Sequence, residues 1–165
     1  MVTVEYLRML FAYQQLANTQ LLNAAEGLSD VELDLHPIAA HDSIRETCVH
    51  LFSAEWMWCN RLNGVSPTAM LDPADFPSLE SIRVRWQSET QALQQFIDRL
   101  SATDIEKPAS YVRRGITYAT PIWQILVHVA QHSTQHRSEL AAMLTILGRS
   151  PGELDIIRYL RGEWE

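Results

Sequence analysis

PIWQILVHVAQHSTQHRSELAAMLTILG, residues 121–148, decides the fold. Within it Ile125, Val129, His132, His136, Leu140, Met143 and Leu147 recur at spacings of three or four. That period is the core-facing stripe of an amphipathic helix. Thr120 reads as its N-cap, Pro121 as its first helical residue and Gly148 as its stop. The stripe contains two imidazoles, His132 and His136, four positions apart. On a helix such residues are separated by about 6 Å of rise and about 40° of azimuth, so both can reach one ion.

Three further long helices follow from the same pattern. The first is expected from Val4 to Ala25, capped by Thr3 and closed at Gly27. Ser43 and Glu46 form a capping box that opens the second, which ends near Asn63-Gly64. Residues Val65 to Pro77 hold three prolines and read as a connector. The third helix is expected from Leu79 to Leu100. Lys107-Pro108 and YVRRGITYAT then break helical periodicity and predict a short extended excursion. A short terminal helix is expected over Leu154 to Leu160. The fold class is therefore all-α, a four-helix bundle with long connectors, and 1–165 reads as a single domain.

An internal echo accompanies this pattern. SIRETCVHL from Ser43 parallels PIWQILVHV from Pro121 at an offset of 78 residues, which sets His50 opposite His128. LSDVEL and LSATDIE correspond at a slightly different offset. A duplicated helical hairpin and generic helix composition account for these similarities about equally well.

Composition narrows the function. The chain has 165 residues, 47% hydrophobic and 20% charged, with a net charge of −7. With no basic cluster, nucleic-acid binding is not expected, and the acidic balance disfavours anionic membranes. No apolar run reaches a spanning length and the N-terminus lacks a signal-peptide core, so a cytoplasmic location is expected. Cys48 and Cys59 lie about 16 Å apart by helical rise, too far for a bridge, and read as small buried hydrophobes.

The candidate site is His50 from the second helix with His132 and His136 from the fourth. Three neutral imidazoles leave coordination positions open, as catalytic metal sites require. The open side is expected to face a pocket between those two helices. All-nitrogen ligation suits one divalent transition metal, zinc, nickel or iron, better than magnesium or calcium. His128 lies about 12 Å of rise from His136 and is assigned a packing role. His36 and His41 read as solvated loop residues. Trp56, Trp58 and Trp123 read as core or pocket walls.

HSTQH is not a zinc-peptidase motif, because Ser133 stands where H-E-x-x-H needs its glutamate. Di-iron carboxylate motifs are absent too. Glu46 can orient an imidazole, although its capping box is the simpler role. Arg137 can hold an anionic group, although an ordinary surface or ion-paired arginine is the simpler reading. No general base is compelled by spacing, so the catalytic residues stay unassigned.

YQQLANTQLL, LSDVEL, SIRETCVHLFSAEWMWCNRL and HVAQHSTQHRSELAAMLTILGRSPGELDIIRYL, in that order, resemble the DinB/YfiT-like superfamily of metalloenzymes. This is not the DNA polymerase that shares the DinB name. The last segment is the most specific, with Arg137, Pro151, Asp155 and Tyr159 following the histidines. The resemblance implies an up-down-down-up bundle and a divalent metal on His50, His132 and His136. It also implies chemistry on a small-molecule substrate, with a low-molecular-weight thiol of the bacillithiol, mycothiol or glutathione type as the leading case. A homodimer is a further implication. The alternatives are a metal-dependent hydrolase and a non-catalytic, stress-associated metal-binding bundle. Fold does not choose among these.

Overall fold

A computed structural model describes residues 2–39 and 41–164. Four long helices carry the structure: α1 (Val4–Ala24), α3 (Ile44–Leu62), α4 (Leu79–Asp98) and α5 (Ile122–Ile146). Two short helices, α2 (Asp30–Leu33) and α6 (Ile156–Leu160), and a 3-10 turn (Pro73–Asp75) lie in the connections. The expected extended excursion is an antiparallel hairpin of β1 (Pro108–Arg113) and β2 (Ile116–Pro121), in register from Pro108↔Pro121 to Arg113↔Ile116.

Local chemistry explains most boundaries. Thr3 accepts from the Tyr6 amide to cap α1, and Ser43 with Glu46 closes a reciprocal capping box on α3. Ser29 and Glu32 build a second box on α2, within the LSDVEL segment. At the end of α5, Gly148 takes φ +74°, which lets the Arg149 amide return to the Leu144 carbonyl.

The start of α5 differs from the sequence expectation. Thr120 lies in β2 and Pro121 is the N-cap, with no side-chain cap bond. The orphan amides of Ile122 and Trp123 instead donate to the carbonyls of Lys107 and Ile105, each at 3.0 Å. Backbone at the foot of the hairpin therefore does the capping.

Contacts fix the directions of the helices. Arg8 of α1 bonds the Asp98 carbonyl at the end of α4, and Arg83 near the start of α4 bonds the Leu22 carbonyl near the end of α1. These two helices are antiparallel. Phe52 meets Phe76 and Trp86 while Glu55 meets Thr90, so α3 and α4 run parallel. His50 meets His136 while Trp58 meets His128, so α3 and α5 are antiparallel. The bundle is up-down-down-up. Helices α1 and α3 each pack against both α4 and α5, which leaves α1–α3 and α4–α5 as diagonals. This arrangement is unchanged in outline when the first hairpin is exchanged for the second, as a duplication behind the 78-residue echo requires.

Two apolar clusters fill the bundle. One gathers Leu21, Phe52, Trp86 and Met143; the other gathers Leu7, Phe11, Leu93 and Leu126. Between them lies a buried polar layer centred on Glu55, which is 0% exposed. Glu55 accepts from Gln14 at 2.9 Å, Asn18 at 3.3 Å and Thr90 at 2.9 Å. Arg137 joins this layer through Asn18 and Thr134 and lies over the Tyr13 ring. It is therefore neither a surface arginine nor a group facing the histidines.

Candidate metal centre

Three side chains converge at the level of the polar layer. His50 Nε2 and His132 Nε2 are 3.1 Å apart. One nitrogen from each of His50, His132 and His136 lies within 4.8 Å of the others. Helix α5 supplies two rings one turn apart and the antiparallel α3 supplies the third. The sequence-chosen triad is thus brought together. His128 is not part of it: its ring packs edge-on to Trp58 and lies one turn from His132.

The histidines sit at the rim of the buried face of α5 rather than in its middle. Ser133, Arg137 and Leu140 are buried, whereas His132 and His136 are only partly covered. At the rim the imidazoles keep part of their surface in contact with solvent.

Electrostatics favour free lone pairs. Desolvation, followed by the charges of His136 and His50, holds His132 down at about 4. Desolvation and His136 also lower His50. Both are neutral at pH 7, the state in which imidazole binds metal. His128 is lowered by partial desolvation and then by Arg113.

One residue of the site went unassigned in the sequence. Glu139 Oε2 lies 2.7 Å from His136 Nδ1. That leaves Nε2 as the free donor of His136, and a carboxylate behind a ligating histidine fixes its ring and raises its basicity. Burial alone would raise the Glu139 carboxyl; the hydrogen bonds with His136 and Gln135 outweigh it and leave Glu139 ionised below the usual range. The available signal was the spacing His136-x-x-Glu139, one turn on the same helix. Glu46, by contrast, accepts from the Ser43 amide at 2.7 Å in its capping box.

A hollow reaches the site at His50. It measures about 230 Å³, lies between α3 and the connector after it, and is lined by Asp42, Glu46, His50 and Met70 among others. Two of the candidate tryptophans pack elsewhere: Trp58 packs on His128 and Tyr111, and Trp123 lines an apolar hollow with Val2 and Tyr6. Cys48 is fully buried, with its thiol pushed up to about 12 by desolvation, and Cys59 is raised for the same reason. Neither is an activated nucleophile. His36 and His41 are exposed, and His36 Nδ1 bonds the His41 carbonyl.

Comparison with known proteins now adds a context. The model of the DinB family matches residues 1–165. Among solved structures, YfiT from Bacillus subtilis aligns with a TM-score of 0.70 and 12% sequence identity, over 90% of this chain and 91% of that one. That protein is described as "a probable metal-dependent hydrolase with an unusual four-helix bundle topology". At this identity the likeness shows the shared fold. No curated protein matches the sequence. Among the described residues, no helix is long and apolar enough to cross a membrane.

Proposed function

Because the chain belongs to the DinB family across residues 1–165, we propose that it is a divalent-metal-dependent enzyme acting on a small molecule, with His50, His132 and His136 as the ligands. The observation that carries this reading is the 3.1 Å separation of the His50 and His132 Nε2 atoms. Two nitrogens on one zinc-like ion stand about 3.0–3.4 Å apart at octahedral to tetrahedral angles. The donor set fits: three imidazoles, one of them oriented by Glu139, with no carboxylate in the convergent group. Zinc, nickel and iron are the ions such a set prefers.

When bound, such an ion supplies Lewis acidity, which makes an S–H or O–H group that reaches it a stronger acid. The residues of the chain prepare for this. Desolvation keeps His50 and His132 neutral, and Glu139 holds the His136 ring. Of the nearby carboxylates, Glu46 is engaged by its capping box and Glu139 by His136, while Asp42 lines the hollow that reaches His50. What favours a thiol as the nucleophile is its own acidity, since it already titrates within about two units of neutrality. The leading reading is a thiol-dependent transferase: the sulfur of a low-molecular-weight thiol attacks an electrophilic carbon, the bond to the leaving group breaks with its electron pair, and the thiol proton passes to solvent. The second reading, a small-molecule hydrolase, is favoured by the description of YfiT.

The test is an assay of metal-reconstituted and chelator-treated protein with glutathione, cysteine, bacillithiol and mycothiol against a panel of electrophiles. Simple esters and amides without thiol form the parallel arm. Chelator-sensitive turnover that requires thiol is the expected result. Hydrolysis without thiol replaces the transferase by the hydrolase, and absence of turnover in both arms removes the enzymatic reading.

A further inference from the structure

A second constellation lies farther along the face of α3 that carries His50. Met57 and Arg61 follow His50 by seven and eleven residues, spacings that return to one side of a helix. Arg61 is 5% exposed, and its guanidinium stacks 4.6 Å over the Trp58 ring and 5.3 Å from that of Tyr111. Its Nε is buried without a hydrogen-bond partner. Among the described residues, no carboxylate pairs with Arg61, Arg113 or Arg114. All three line one hollow of about 380 Å³ between α3, the Ser66–Met70 stretch and the tip of the hairpin. No acidic residue lines it.

This arrangement is costly as structure alone. A desolvated cation without an anion is destabilising, and stacking on aromatic rings offsets only part of that. Arg114 adds backbone strain. With Gly115 it forms the two-residue turn of the hairpin, at φ +51°, in the left-handed region where such turns favour asparagine or glycine. In a chain of net charge −7, three unpaired arginines around one hollow are not a consequence of composition. The hollow also adjoins the metal centre: Met70 lines both it and the cavity that reaches His50.

We infer that this hollow binds a carboxylate or phosphate group of a small molecule, with Arg61 as the buried anchor and Arg113 and Arg114 closing over it. The inference deepens the proposed function by giving the site an anionic substrate class, and rests on that reading only for the reacting end. A planar guanidinium on an aromatic platform presents paired donors of the geometry that carboxylate and phosphate accept. From His50 to Arg61 the rise along α3 is about 16 Å. A molecule that engages both sites therefore carries its anionic group well away from the bond that reacts.

Calorimetric titration of the metal-free protein with inorganic phosphate, succinate and neutral succinamide tests this. Saturable binding of phosphate or succinate is expected, with none for succinamide, and the tighter of the two anions identifies the group. The Arg113→Gln/Arg114→Gln double variant, altered only at exposed side chains, should weaken it by about tenfold or more, as loss of charge-assisted bonds requires. Arg61→Lys, checked for folding by circular dichroism, should weaken it as well. Absence of saturation by either anion, or equal affinity in the double variant, overturns the inference. Metal affinity measured on the same samples separates the two readings: anion binding without metal binding sinks the metal centre and leaves this site standing.

Discussion

Glu139 Oε2 stands 2.7 Å from Nδ1 of His136, one helical turn along α5. The pair makes the proposed metal centre more than three converging rings, because it assigns the free nitrogen of His136 and holds the imidazole in one orientation.

Replacing Glu139 with Gln should therefore weaken metal binding by about 10- to 100-fold while leaving the fold intact, the usual effect of removing a carboxylate behind a ligating histidine. Competition with a chromophoric chelator measures it. An unchanged affinity would mean that Glu139 is only a surface partner of His136.

His132→Ala should abolish metal binding, whereas His128→Ala should retain most of it. The two residues are one turn apart on the same helix, but only His132 belongs to the convergent triad. Metal content after dialysis against excess ion decides the matter, with circular dichroism as the folding check. Equal loss in both variants would place the ion nearer Trp58.

The pH dependence of the metal-free protein follows from His132. Its folded pKa of about 4 lies below the ordinary 6.5, so between these values the unfolded chain binds the proton that the folded chain refuses. Stability from this group is full above pH 6.5 and is lost as pH falls towards 4. Buried Glu55 is shifted upward, so its contribution has the opposite sign. The difference between wild type and His132→Ala reports this histidine together with its coupling to His50 and His136. Melting temperatures of the two should converge as pH is lowered through that window, and a constant difference would contradict the assignment.

Glu55→Ala should destabilise the bundle by about 1–3 kcal/mol, because Gln14, Asn18 and Thr90 each lose a buried acceptor. Glu55→Gln keeps a carbonyl acceptor and should cost less. Urea unfolding gives both values. If alanine is tolerated as well as glutamine, the polar layer is not organised around Glu55.

The helices and the histidine pair were legible because their signals are local. Caps at Thr3 and Ser43, stops at Gly64 and Gly148 and the three-four stripe of α5 each depend on residues within a few turns. The start of α5 was misread for the opposite reason: its caps are the Ile105 and Lys107 carbonyls, and Thr120 looks like a cap until β2 pairs with β1. The polar layer was hidden because Gln14 and Asn18 look like ordinary helical polar residues. Their position on the face of α1 that buries Leu7, Phe11, Ala17 and Leu21 was the available clue. The role of Arg61 depends on Trp58, Tyr111 and the hairpin together, which no local pattern reveals.

X-ray absorption at the metal edge of zinc-reconstituted protein counts the imidazoles around the ion directly. The structure predicts one ion per chain with three imidazole nitrogens in its shell, falling to two or to no bound metal in His50→Ala. A shell of sulfur or carboxylate oxygen, or an imidazole count that His50→Ala leaves unchanged, would contradict the assignment of His50, His132 and His136 as a single metal centre.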